Sequence, residues 1–200
     1  MNTTVSDASL LKRADCYKLL SACFCEPDKD LFREENVLSN LASILEDVCP
    51  EAATYARDME IFFSETHAEE LAIEHSSLFL GPFQLKAPPY GSVYLEKNRT
   101  VMGETTMQTL QLYQESGLNH DLKEPADHIA IELEFMNFLL MAQFEAENKG
   151  DEDELTELTN RNTLFLSRYL GRWVFRFCSS IVDNTENSYY CSLANCLDSF

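Results

Sequence analysis

Between residues 124 and 148 the chain reads EPADHIAIELEFMNFLLMAQFEAEN, and this stretch constrains the fold more than any other. Ile129, Ile131, Leu133, Phe135, Met136, Leu139, Leu140 and Phe144 put apolar side chains on nearly every face of a helix. Such a helix must be surrounded by others rather than laid on a surface. Pro125 suits a first helical position, because its missing N–H would have no partner there. Glu124 and Asp127 place carboxylates beside the unpaired N–H groups of a helix start. A polar entrance of Glu124, Asp127 and His128 therefore opens onto the core, and it is the first candidate for a site. Asp127 either faces a ligand or caps its own helix.

The rest of the chain supplies the surrounding helices. Apolar residues recur at helical spacing from Ser6 or Asp7 to the Glu26-Pro27 pair, where Pro disfavours helix in the residue before it. Further helices are expected over residues 30–48, 50–63 and 67–80. Residues 81–99, GPFQLKAPPYGSVYLEKNR, form the one long interruption. Phe83, Tyr90, Val93 and Tyr94 make it too apolar for disorder, so an ordered, functional loop is expected. A helix over 103–115 stops at Gly117. The 118–123 connector leads to the central helix. One or two buried helices follow over 155–177, with Phe175 and Phe177 beside Trp173, the only Trp. An amphipathic helix closes the chain. The pattern predicts an all-α fold: one domain over residues 1–200, a bundle of eight to ten helices.

Charge and motifs exclude several functions. With 34 acidic against 15 basic residues, the net charge of −19 argues against nucleic acid and anionic membranes and favours basic partners. No stretch approaches the ~20 apolar residues of a membrane span, and no secretory signal is legible, so a cytoplasmic location is expected. The seven Cys show C-x-C at Cys23 and Cys25 but no CxxC pair, and read as reduced thiols, mostly small core hydrophobes. Phosphate-loop, dinucleotide, zinc-protease and hydrolase signatures are absent. No metal, cofactor or catalytic residue is expected. His128 and Glu132, four apart, read as an intrahelical hydrogen bond. An acid–base enzyme centred on His128 is one alternative, and a regulatory adaptor is another. Glu124, Asp127 and His128 suit a cationic peptide equally well, without any missing part. Tyr90 and Tyr94 around Ser92 read either as contacts or as anchors of their loop.

Three stretches together resemble a known family. Glu124-Pro125-Ala126-Asp127-His128 resembles the E-P-x-D-H signature of the TorD/DmsD family of molybdoenzyme maturation chaperones. Leu78-Phe79-Leu80-Gly81-Pro82 and the 88–94 segment, with Pro89, Tyr90, Ser92 and Tyr94, are similar to its L-F-x-G-P and P-x-x-S-x-Y segments. Phe165-Leu166 through Trp173 resembles its F-L-x-x-H-L-x-x-W helix, with Tyr169 where His is common. His75 stands where the family often has Tyr. The resemblance implies an all-helical cytoplasmic chaperone, not an enzyme, acting as a monomer or as a homodimer, domain-swapped or not. Its partner would be a molybdopterin oxidoreductase precursor with a twin-arginine signal peptide. The binding region would comprise Glu124, Asp127, His128, Pro89, Tyr90, Ser92, Tyr94 and Trp173.

Overall fold

The structure is a computed structural model that describes residues 3–81, 85–118 and 124–200, with side chains from residue 9 onward. Pro82, Phe83, His120, most of the 118–123 connector and the Ser6 or Asp7 cap lie outside the described residues or side chains. Among the described residues there are eleven α-helices and one π-helical turn, and the only strand-like pairing is an isolated bridge between Tyr90 and His128. The all-α expectation holds. The helices exceed the expected number because two of them are short or split. The chain gathers into two compact units, residues 1–21 with 90–173 and residues 22–89 with 174–200.

In the first unit, α8 (Ile129–Lys149) is the central helix. Ile129, Ile131, Leu133, Phe135, Met136, Leu139 and Ala146 are all buried, as its apolar run requires. It begins at Ile129, four residues later than Pro125 suggested. The intervening residues form a turn in which the His128 N–H donates to the Pro125 carbonyl at 3.0 Å. Gly150, at φ 70°, ends the helix in the left-handed conformation that glycine adopts without penalty. The carboxylate of Asp151 then caps α9 (Glu152–Arg168), which packs on α8.

The part of α1 (Thr3–Cys23) that belongs to this unit is tied to α8 by two hydrogen bonds. Ser21 Oγ donates to the Ala130 carbonyl at 2.8 Å, and Asn137 Nδ2 to the Ala14 carbonyl at 2.9 Å. Inside the long interruption lies a single-turn helix, α6 (Gly91–Leu95), which touches α7 (Glu104–Glu115). Glu96 joins them by accepting from the Thr105 N–H at 2.7 Å. Residues 155–177 do form two helices, broken at Tyr169. At Gly171 a Cβ would lie 2.5 Å from the Leu166 carbonyl, so only glycine allows this close approach.

In the second unit, the expected helix over 30–48 is two: α2 (Lys29–Glu34), capped by Asp28, and α3 (Val37–Val48). Asn36 separates them at φ 51°, a conformation that Asn tolerates better than most residues. Pro50 opens α4 (Pro50–Glu65), which packs on α3 and on α11 (Ser188–Ser199). After α5 (Ala68–His75) the backbone widens into the π-helical turn Ser76–Leu80. The core of this unit is aromatic: Phe24, Phe79, Phe177 and Tyr190 meet at ring-centroid distances of 5.5 to 6.2 Å. Phe177 comes from α10 (Leu170–Val182), and Phe175 on that helix is 64% exposed, contrary to the buried reading. Cys16, Cys23, Cys178 and Cys196 are buried as expected, Cys49 and Cys191 are half-buried, and Cys25 is exposed.

Candidate functional site

The polar entrance is built in the first unit by the turn before α8, by α6, and by the start of α10. Asp127 is fully buried and does not cap its own helix. Its carboxylate Oδ2 accepts from the Ser92 N–H at 2.7 Å, and its carbonyl accepts from the Gly91 N–H at 2.9 Å. Asp127 therefore caps α6, thirty-five residues earlier in the chain. The reason is physical. The first N–H groups of so short a helix are buried and need an acceptor, and the 90–92 backbone offers none.

His128 takes the role first given to Asp127. It is the N-cap of α8, with Nδ1 accepting from the Ala130 N–H at 3.2 Å. A ring nitrogen that accepts leaves the imidazole proton on Nε2. The expected side-chain bond between His128 and Glu132 is not formed. Glu132 instead turns inward, and its Oε2 accepts from the Trp173 indole N–H at 3.0 Å. The His128 ring stands edge-on to Tyr90 at 5.4 Å, and the Tyr90 hydroxyl donates to Glu124 Oε2 at 3.0 Å. Burial raises the Tyr90 hydroxyl pKa, and the Glu124 carboxylate it donates to raises it further, so it stays a donor.

Exposure divides the residues named from the sequence. Glu124 is exposed, while Tyr90 and His128 are half-buried with faces at the surface. Ser92, Tyr94, Asp127 and Trp173 are buried. Tyr94 stacks on Trp173 at 5.5 Å and 19°. These four form the frame beneath the entrance rather than its rim. Pro89 is buried and belongs to the second unit's segment of chain, immediately before Tyr90.

Two further residues complete the frame, in roles that spacing along the chain did not show. Tyr113 on α7 donates to the Ala126 carbonyl at 2.9 Å and so pins the turn that carries Asp127. Glu132 is fully buried, and burial holds its carboxyl well above the usual carboxylate range. The Trp173 hydrogen bond opposes that shift and the Asp127 charge adds to it. Its signal in the sequence was one of two charges, with Glu134, inside a largely apolar helical run. Among the described residues, no group of three or more His, Cys, Asp and Glu side chains is placed to hold a metal ion.

The model of the nitrate reductase delta subunit family matches residues 43–179. The chain belongs to this family. Its relatives include the Tat proofreading chaperone DmsD of Salmonella paratyphi A, 33% identical over 132 residues. That match covers 64% of this chain and 58% of DmsD. The chaperone protein TorD of Vibrio vulnificus is 26% identical over 198 residues, covering 94% of this chain and 91% of TorD. The resemblance to the TorD/DmsD group read from the three motifs therefore holds. A crystal structure of an Archaeoglobus fulgidus protein assigned to redox enzyme maturation shares the fold of this delta-subunit family member, with a TM-score of 0.56. The two are 23% identical, and the match covers 91% of this chain and 90% of the other. No helix among the described residues is long and apolar enough to cross a membrane.

Proposed function

We propose that this chain is a cytoplasmic, system-specific chaperone for an immature molybdopterin oxidoreductase. It holds the client by its twin-arginine signal peptide, its body, or both, until cofactor is inserted and export proceeds. The observation that carries this reading is the exposed Glu124 carboxylate, held by the hydroxyl of Tyr90, whose ring in turn meets that of His128. A carboxylate accepts the planar fork of an arginine bidentately, and a flanking aromatic face takes a guanidinium by cation–π contact. The frame below is already hydrogen-bonded and buried, so docking orders little that is not ordered beforehand. The net charge of −19 raises the encounter rate with a basic segment. The names of DmsD and TorD support the same assignment.

The chemistry required is binding and release, not turnover. His128 spends its Nδ1 on the helix cap, which supports a structural part in the rim over an acid–base one. Calorimetry with a twin-arginine leader peptide tests the proposal. The Arg-Arg peptide is expected to bind, and a Lys-Lys version to bind about tenfold more weakly, because an ammonium cannot form the bidentate pair. Equal affinity for both would remove Glu124 as the reader of arginine, and binding of neither would overturn the client assignment.

A further inference from the structure

Glu132 lies outside the entrance, yet it touches the parts that hold it in place. Its Oε2 accepts from the Trp173 indole at 3.0 Å. A Cβ built on Gly91, the first residue of α6, would lie 3.0 Å from the indole nitrogen and 3.4 Å from Glu132 Oε1. The α6 backbone therefore rests directly on this pair, with no room for a side chain between. Trp173 also stacks on Tyr94 near the far end of the same short helix. Asp127 accepts from the Gly91 N–H with its carbonyl and from the Ser92 N–H with its carboxylate. Helix α6 is thus held both by Asp127 and by a carboxyl–indole floor, and Tyr90 is the residue that leads into it.

We propose that Glu132 is a positioning residue for the client-binding face: through the Trp173 indole and the floor beneath Gly91 it fixes the seat of α6, and so of Tyr90. That Tyr90 meets a client rests on the function proposed above; the seat of α6 does not.

Burial raises the Glu132 carboxyl well above its ordinary range and so favours its neutral form. The groups acting on Glu132 are Trp173 and Asp127, and Tyr113 and Tyr169 from α7 and the α9–α10 junction feel its charge. None of these is a cation. Among the described residues, Glu132 Oε1 and Asp127 Oδ1 have no hydrogen-bond partner. A charged Glu132 would hold one hydrogen bond in a buried site beside a second carboxylate, which is unfavourable. Protonated, it accepts from the indole at no such cost. Loss of the proton places a charge under α6 and loosens its seat.

The test uses the full chain, whose single Trp reports on the site directly. Trp emission is recorded from about pH 4 to about pH 9 for the wild type and Glu132→Gln. The wild type is expected to show a step above the ordinary carboxyl range, and Glu132→Gln none. Amide hydrogen exchange over residues 90–95 is then compared among the wild type, Glu132→Gln, Glu132→Ala and Trp173→Phe. Glu132→Gln should stay close to the wild type at neutral pH, since its amide oxygen still accepts from the indole. Glu132→Ala and Trp173→Phe should exchange about tenfold faster there, with α8 still protected. Trp173→Phe keeps an aromatic core and decides the matter if Glu132→Ala does not fold.

Arg-Arg leader-peptide affinity should fall in the same two variants and be kept in Glu132→Gln. If the wild type takes no peptide, the client reading fails while emission and exchange still judge the seat. The same emission step in Glu132→Gln, or unchanged exchange at 90–95 in Trp173→Phe, overturns the proposal.

Discussion

Replacing Asp127 and Glu124 by Ala separates the frame from the rim, because the two carboxylates lie three residues apart in opposite environments. In Asp127→Ala the Ser92 N–H loses its 2.7 Å acceptor inside a fully buried site. A buried donor left unpaired costs about 1–3 kcal/mol, and the lost partner was a charge-assisted one. Removing a carboxylate whose Oδ1 has no partner among the described residues returns part of that. The net expectation is a loss of about 2 kcal/mol. For a chain of this length that lowers Tm by about 4–8 °C. Asp127→Asn keeps an acceptor oxygen and should lose about half as much. Glu124→Ala removes an exposed partner of Tyr90, so stability should stay within about 0.5 kcal/mol. Its effect belongs in calorimetry, as a drop of about fivefold or more in leader-peptide affinity. Melting and calorimetry on the same preparations decide it. An Asp127→Ala protein that melts within about 1 °C of the wild type would refute the cap on α6. A Glu124→Ala protein as unstable as Asp127→Ala would refute the division into frame and rim.

Gly91→Val sets two methyl groups against an indole that a bare Cβ would already approach at 3.0 Å, and should destabilise by about 1–3 kcal/mol while shifting Trp emission. Asn36→Ala should cost about 1 kcal/mol in denaturant titration, and Asn36→Gly little, because the left-handed backbone at φ 51° outweighs the long, exposed side-chain bond to the Glu34 carbonyl. His75 is buried edge-on to Phe79, and burial lowers its pKa below the ordinary 6.5 despite the Phe24 carbonyl and Glu26. The unfolded chain then takes up this proton first, so stability falls as pH drops from about 6.5 toward the lower folded value. His75→Phe should flatten that part of the curve, as measured by urea unfolding at several pH values. Tyr113→Phe leaves the Ala126 carbonyl without its 2.9 Å donor and should cost about 1–2 kcal/mol of thermal stability.

What the sequence made legible was the part governed by local periodicity. The apolar run after His128 announced a buried helix, and Gly117 marked a real end. What it hid depends on partners distant in the chain. Asp127 looked like a cap or a ligand for what lay beside it, and only folding brings it to Ser92. Glu132 paired with His128 by spacing alone, whereas its partner forty-one residues later is Trp173. The loop around Tyr90 was correctly read as ordered, but one turn of helix held by a remote carboxylate leaves no periodic trace. Phe175 shows the limit of composition, since an aromatic within a buried run still points outward.

The uneven burial of the thiols has a practical consequence. Burial pushes the Cys23 thiol up to about 12 and the Cys178 thiol higher still, and so keeps both protonated and unreactive at neutral pH. Cys16 and Cys196 are enclosed as well, while Cys49 and Cys191 are partly covered and each donates to a backbone carbonyl. Cys25, just past the end of α1, stands in the open. A maleimide dye added briefly to the unaltered protein should therefore mark that position first. The native chain thus carries its own attachment point for a fluorophore or surface tether, with no engineered cysteine needed.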